Sequence, residues 1–116
     1  MPEVTIYHNP RCGTSRKTLE LIRKKGIEPK IIEYLKTPPT EKELHEVLKL
    51  LGMEPRELMR TKEAEYSRYH FDNPKLRRAQ LIAAMVRHPV LIERPIVLSN
   101  GKAALGRPPE NVEKIL

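Results

Sequence analysis

The chain has 116 residues, 39% of them hydrophobic and 32% charged, a balance typical of one soluble globular domain rather than a disordered or fibrous chain. Its net charge of +7 favours anionic partners, but the basic residues are scattered and the aromatic residues are few (four Tyr and one Phe), so no nucleic acid is expected. One cysteine forms no internal disulfide, and no segment resembles a signal peptide or a membrane span. We therefore expect a cytoplasmic protein that does not associate with a membrane.

The N-terminal third predicts a strand, a helix and a second strand. Residues 3–8 are rich in β-branched side chains and end at an Asn-Pro pair, a turn signal. Residues 14–25 carry apolar side chains at helical spacing, and Gly26 is typical of a helix C-terminus. Residues 29–35 favour the second strand. This order predicts a βαβ unit.

A second helix is predicted after the loop that follows this unit. Thr40 and Glu43 form a capping box, because the hydroxyl and the carboxylate each satisfy a free backbone N–H. Leucine and valine side chains then recur on one helical face until Gly52. Residues 54–72 are highly charged with broken periodicity, and they predict a short helical turn followed by irregular structure.

The C-terminal half predicts a helix, a hairpin and a short last helix. An Asn-Pro pair at 73–74 favours a helix start, and that helix ends near the His-Pro pair at 88–89. Two apolar runs flank Ser-Asn-Gly at 99–101, which is a strong hairpin signal. The short helix begins at residues 108–110. We expect the first of these helices to bury four side chains: Leu76, Ala79, Ala83 and Val86.

This order of elements is the layout of a thioredoxin-like α/β fold. It is βαβ–α–ββα, with a central mixed sheet and an inserted helical segment. We find no internal repeat, low-complexity tract or domain boundary, so the sequence predicts a single domain over residues 1–116.

Cys12 is the only cysteine, and it lies where the first strand becomes the first helix. If the helix begins just after it, free backbone N–H groups, the helix dipole and the nearby Arg11 and Arg16 stabilise the thiolate. The same N–H groups would bind an oxyanion. A lone cysteine is more often a small buried hydrophobe, but these flanking residues are polar, so we favour a nucleophile.

Two familiar cysteine motifs are absent. A phosphatase-type loop needs arginine where this chain has Thr18, and a dithiol CxxC needs cysteine where it has Ser15. A redox-active Cys12 would therefore need a resolving thiol from another molecule.

His8 lies four residues before Cys12, at the end of the predicted strand. It either tunes the thiol, as a nearby cation or hydrogen-bond partner, or is a partly exposed strand-end histidine; the sequence leaves both open. The other three histidines show no metal-ligand spacing, so we expect no metal site.

Four segments in order resemble the glutaredoxin-coupled arsenate reductases of the ArsC family. They are HNPRCGTSR at 8–16, LMRTK at 58–62, LIERPIV at 91–97 and GRPPE at 106–110. With the lengths between them, they extend the resemblance over essentially the whole chain. It implies a thioredoxin-like domain of the ArsC type.

The resemblance also implies a set of site residues. Cys12 is the nucleophile that attacks arsenate, and three arginines hold the oxyanion and its arsenic adducts: Arg60, Arg94 and Arg107. Guanidinium groups suit this task because they stay charged and donate bidentate hydrogen bonds to tetrahedral oxyanions. Without the resemblance, Arg60 would be a solvated side chain in a charged segment.

Three further residues match positions that the family places near the thiol. His8 and Ser15 are two of them, and Pro95 matches the proline that thioredoxin-like folds keep in the cis form facing the active cysteine. The implied substrate is arsenate or a similar oxyanion, with glutathione as reductant, glutaredoxin as partner protein and no tightly bound cofactor.

Two other functions remain open from the sequence. Spx-like regulators that bind RNA polymerase are relatives with the same fold, although Ser15 removes the CxxC switch that they commonly carry. The second is a general glutathione-linked monothiol oxidoreductase that acts on a substrate other than arsenate.

Overall fold

The computed structural model describes residues 3–116, which fold as two units. The first contains residues 3–37 and Arg94–Leu116, and the second contains Pro38–Glu93. The single domain over residues 1–116 stays a prediction. Within residues 3–116, no helix is both long enough and apolar enough to cross a membrane.

A four-stranded mixed sheet forms the first unit. In chain order its strands are β1 (Thr5–His8), β2 (Lys30–Glu33), β3 (Ile96–Ser99) and β4 (Lys102–Leu105). In space the order is β2-β1-β3-β4, with β1 and β2 parallel and the other two pairs antiparallel. A parallel pair needs a crossover connection, and the helix α1 (Gly13–Lys24) provides it. The predicted βαβ unit is confirmed.

The connection between β3 and β4 is a two-residue turn. Asn100 and Gly101 have φ angles of 55° and 71°, and Ser99 pairs with Lys102 across the turn. Positive φ at both turn positions matches the right-handed twist of the strands, and Asn-Gly tolerates it at low cost. The predicted hairpin is confirmed.

The core of the first unit lies between the sheet, α1 and the C-terminal segment. Ile22 of α1 and Val97 of β3 are fully buried there with Val112. Val112 belongs to a 3₁₀ helix at Pro109–Ile115, which packs on α1 and β4. The C-terminal helix was therefore predicted in the right place but is 3₁₀ in type.

Helices form the second unit: α2 (Glu41–Leu51), α3 (Pro55–Leu58), α4 (Ala64–Arg68), α5 (Arg78–Arg87) and a 3₁₀ turn at Pro89–Leu91. The capping box at Thr40 and Glu43 is present, and Gly52 ends α2 with a φ of 67°. A second capping box at Glu54 and Glu57 opens α3, in a segment where we expected one short helical turn.

The start of α5 differs from the prediction. Residues 73–76 form a separate turn, in which the Asn73 side chain accepts from the Lys75 N–H and the Asn73 carbonyl accepts from the Leu76 N–H. The helix begins at Arg78, and its buried side chains are Leu81, Ile82, Ala84 and Met85. The predicted face of Leu76, Ala79, Ala83 and Val86 is therefore wrong. The larger leucine, isoleucine and methionine side chains remove more apolar area from water, so they occupy the buried face.

The mixed sheet and the order of elements confirm the predicted thioredoxin-like α/β fold. The helical segment is inserted in sequence between β2 and β3.

Candidate active site around Cys12

Cys12 is the N-cap residue of α1. Its backbone is extended (φ −90°, ψ 122°), and its carbonyl accepts the first helical hydrogen bond from the Arg16 N–H at 3.0 Å. The loop from β1 is held by Asn9, whose carbonyl accepts from the Cys12 N–H and whose side chain accepts from the Arg11 N–H, both at 3.0 Å. The thiol therefore lies at the helix N-terminus, where free N–H groups stabilise negative charge.

The pKa of the Cys12 thiol is lowered from its ordinary value. Partial burial raises this pKa. The Ser15 N–H, the positive charge of Arg94, the Thr14 N–H and a hydrogen bond from Arg94 together lower it by more than burial raises it. The thiolate, which is the nucleophilic form, is favoured as a result.

The sheet topology brings Arg94 to the thiol. Tyr7, near the end of β1, pairs with Ile96 at the start of the antiparallel β3, so the residues just before β3 reach the β1–α1 loop that carries Cys12. Pro95 follows Arg94 through a cis peptide bond, and the cis form predicted for this proline is confirmed.

Arg94 is the cation whose charge acts on the thiol, although the sequence also suggested Arg11 and Arg16. The Arg16 guanidinium instead donates to the Pro10 carbonyl through Nη1 at 2.9 Å. The sequence neighbours of a helix N-cap lie close along the chain, but their side chains need not turn toward the cap.

His8 is buried and contacts Ser15. Its Nδ1 lies 2.7 Å from the Ser15 Oγ, and this Oγ also accepts from the Asn9 N–H at 3.1 Å. Burial lowers the pKa of His8, with Glu33 raising it and Arg23 lowering it further. His8 is therefore a neutral imidazole at neutral pH, and it is not the exposed strand-end histidine considered above. His8 contacts Ser15 rather than Cys12, and the backbone N–H of Ser15 lowers the pKa of Cys12.

Arg107 contacts the same strand end. Its Nη1 donates to the Arg94 carbonyl at 3.2 Å, while the preceding Gly106 donates its N–H to the Pro95 carbonyl at 2.9 Å. Gly106 is buried against Thr18 of α1, whose hydroxyl lies 3.4 Å from the Gly106 carbonyl. The first unit thus brings together six of the predicted site residues: His8, Cys12, Ser15, Arg94, Pro95 and Arg107.

Arg60 belongs to the second unit. An antiparallel bridge between Met59 and Ile92 places it beside Glu93, and the Arg60 N–H donates to the Leu91 carbonyl at 2.7 Å. Its guanidinium forms ion pairs with Glu63 at 2.6 Å and Glu93 at 3.8 Å. The Arg60 side chain is only 28% exposed, so it is paired and half-buried rather than solvated.

Comparison with known proteins decides the family. A sequence model of the ArsC family matches residues 7–115. The chain belongs to the ArsC family. It is 48% identical to the arsenate reductase of Neisseria meningitidis serogroup A over 117 residues, which cover all of both chains. It is 50% identical over 115 residues to the uncharacterized protein YfgD of Escherichia coli K12, covering 98% of this chain and 97% of that one.

A solved structure gives the same result. The arsenate reductase from Vibrio cholerae superposes with a TM-score of 0.96 at 49% identity, covering 98% of each chain. The predicted ArsC resemblance is confirmed at the level of the family.

Two features of this ArsC-family site were not found from the sequence. Asn9 shapes the Cys12 loop through its side chain, for which the Asn-Pro turn signal was the only hint. The close packing of Gly106 on Thr18 joins residues far apart in the chain, and no local pattern predicts it. Within residues 3–116, no group of three His, Cys, Asp or Glu side chains is arranged to hold a metal ion.

Proposed function

We propose that this protein is an arsenate reductase that depends on glutathione and glutaredoxin. The observation that carries the proposal is the position of Cys12, at the N-cap of α1 with its pKa lowered by two N–H groups and by Arg94. The arsenate reductases among its relatives support the choice of substrate.

The first step is attack on arsenate. The Cys12 thiolate forms an S–As bond, and one arsenate oxygen takes up a proton and leaves as water. The arsenic stays As(V). The Ser15 and Thr14 N–H groups and the Arg94 guanidinium, which lower the pKa of the thiol, offset the negative charge of the adduct.

The next steps supply two electrons. Glutathione adds its sulfur to the arsenic and releases a second water, still at As(V). A glutaredoxin thiolate then attacks the glutathione sulfur, and the electron pair of the broken S–As bond stays on arsenic, which becomes As(III). The two external thiols leave as one mixed disulfide. Water then cleaves the Cys12–As(III) bond and releases arsenite and the free thiol.

The reductants must come from outside because the chain supplies a single thiol. Cys12 is the only cysteine, and the position of a resolving thiol is occupied by Ser15, fully buried and bonded to His8. A cytoplasmic location belongs to this proposal, since glutathione keeps thiols reduced there.

The arginines have distinct proposed roles. Arg94 stabilises the thiolate and then the arsenic adduct, and Arg107 contributes a second guanidinium at the same strand end. Arg60 is proposed to bind the oxyanion on the strength of the family resemblance, in exchange for its carboxylate partners Glu63 and Glu93. Pro95 fixes the backbone between Arg94 and β3.

The test is reconstitution with purified components. Wild-type protein with glutathione, glutaredoxin and arsenate is expected to consume reducing equivalents and release arsenite, whereas Cys12→Ser is expected to lose at least about a thousandfold in rate, since it removes the nucleophile. Ser67→Ala, at an exposed position of α4, controls for differences in the preparation of variants, and its rate is expected to equal that of wild type. Equal rates for wild type and Cys12→Ser would overturn the proposal.

The same preparation separates the other candidate functions. Faster turnover of glutathione mixed disulfides than of arsenate, compared as kcat/KM, would favour a general thiol oxidoreductase. Co-purification with RNA polymerase without arsenate turnover would favour the Spx-like function.

A further inference from the structure

An open groove of about 620 Å³ runs along α1 in the first unit. Three cations of the helix line it: Arg16, Arg23 and Lys24. Pro10 and Leu19 contribute apolar surface. The volume is in the range of small-ligand sites, and the cationic side chains favour an anionic ligand with some apolar surface.

The groove follows Cys12 along α1. Counting from Cys12, the lining residues Arg16, Leu19, Glu20 and Arg23 follow at four, seven, eight and eleven positions. In an α-helix these spacings share one face. The groove therefore begins beside the β1–α1 loop that carries Cys12, where His8 and Pro10 line it.

Two of the groove's cations also affect His8. His8 also lines the groove, and its pKa is lowered. Burial is the largest cause, and the positive charges of Arg23 and Arg16 lower this pKa as well. His8 is neutral at neutral pH, so it adds no charge there. The opposing acidic groups are Glu20 in the groove, Glu33 near His8 and Glu28 against Arg23.

We propose that this groove is the glutathione site of the reductase. The identity of the ligand rests on the proposed function, and its location rests on the lining of the groove. Glutathione carries two carboxylates and one ammonium group on an extended tripeptide. The carboxylates bind Arg16 and Arg23, and the ammonium binds Glu20, the acidic side chain among the lining residues.

The dimensions of the groove match this ligand. Arg23 lies seven positions after Arg16, and a rise of about 1.5 Å per residue places them roughly 10 Å apart along the axis. An extended tripeptide spans roughly 10 Å as well.

Two acidic side chains already pair with cations of the groove, Glu20 with Lys24 at 3.7 Å and Glu28 with Arg23. Glu28 binds Arg23 through two hydrogen bonds, at 2.9 and 3.0 Å, and both side chains are largely exposed. Exposed ion pairs contribute little to stability, so a ligand carboxylate can replace Glu28. Removing the Glu28 charge should therefore strengthen glutathione binding, an effect that misfolding would not produce.

The experiment is an NMR titration of the full-length chain with S-methylglutathione, whose blocked thiol allows binding without chemistry. We expect the amide signals of α1 between Arg16 and Lys24 to shift. Arg16→Ala combined with Arg23→Ala should weaken binding about tenfold, and Glu28→Gln should strengthen it about threefold. The matched control is Lys17→Ala, an exposed cation of the same helix outside the groove, which should bind as wild type does.

Three results would overturn the inference: no shift on α1, an equal loss of affinity in Lys17→Ala, or weaker binding in Glu28→Gln. The arsenate assay with unmodified glutathione is separate. Arsenate turnover without S-methylglutathione binding at α1 would show that the groove is not the glutathione site, while the proposed function would still hold. Binding with the expected effects of the variants, but no arsenate turnover, would support the groove as the glutathione site and rule out arsenate as the substrate.

Discussion

Two arginines proposed to hold the substrate act on different anionic groups. Arg94, in the first unit, acts on the Cys12 thiol and lowers its pKa. Arg60, in the second unit, is held by two carboxylates, Glu63 at 2.6 Å and Glu93 at 3.8 Å. One guanidinium thus stabilises a reactive anion, while the charge of the other is already balanced by the protein.

The difference shows that residue type alone does not make an anion site. A guanidinium binds an incoming oxyanion only to the extent that the oxyanion replaces its present partner at low cost. If Arg60 binds the substrate as proposed, it must exchange its carboxylates for the oxyanion, whereas Arg94 is proposed to stabilise the anion both before and after the thiolate reacts. Arg94→Ala and Glu63→Gln test this contrast directly, while Gly106→Ala and His8→Asn test the packing and the burial around Cys12 on which one side of it depends.

Gly106→Ala should disrupt the packing behind the Cys12 site. A Cβ at residue 106 would lie 2.5 Å from the Thr18 Oγ1 and 2.8 Å from the Pro95 Cγ, so α1 or the strand end must move. We expect a loss of about 1–3 kcal/mol in the free energy of unfolding, measured by urea denaturation. Gly13→Ala is the control, since its Cβ would meet only the Arg16 Nη2, at 3.7 Å, and an unchanged or higher stability is expected. Equal stability of the two variants would contradict the packing argument.

Arg94→Ala should raise the pKa of Cys12, because it removes a positive charge that lowers it. Less thiolate is then present at neutral pH, and alkylation by iodoacetamide should slow about tenfold. The pH profile of alkylation should move to higher pH. Arg94→Lys keeps the charge, so its profile should lie between those of wild type and Arg94→Ala. An unchanged profile in Arg94→Ala would show that the two N–H groups suffice.

Glu63→Gln should release Arg60 from its shorter ion pair. If Arg60 binds arsenate, the KM for arsenate should fall about threefold, in keeping with the small energy of a partly exposed pair. Glu65→Gln removes the same charge from α4 and should leave the KM nearly unchanged. A higher KM in Glu63→Gln would mean that the carboxylate positions Arg60 instead of competing for it.

His8→Asn should change the pH dependence of stability. The pKa of folded His8 lies below its unfolded value of 6.5, so on acidification the unfolded chain takes up the proton first. The stability that neutral His8 contributes therefore falls as the pH drops below 6.5, and His8→Asn should show a shallower fall in stability over that range. The measurement is urea denaturation at several pH values. Ser67→Ala, at an exposed position that carries no ionisable group, should keep the wild-type slope; an equal slope in His8→Asn would rule out the His8 contribution.

Local features of the fold were predictable because short-range interactions decide them. The capping box at Thr40 and Glu43 and the turn at Asn100 and Gly101 each depend on neighbouring backbone groups, and each was found where it was predicted. The start of α5 was not, because an Asn-Pro pair suits a turn as well as a helix N-terminus. α5 buries the face that carries its larger leucine, isoleucine and methionine side chains, and helical spacing alone does not show this difference in size.

The sequence by itself determined the chemistry that the site contains: one thiol at the start of a helix, no internal resolving cysteine, and a chain of the ArsC family. Only the tertiary structure decided the electrostatics. The antiparallel pairing of β1 with β3 selects Arg94, rather than Arg11 or Arg16, as the cation that acts on Cys12. The same is true of the contact between His8 and Ser15. Charge acts through distances in space, and these distances are set by strand pairing and burial rather than by position along the chain.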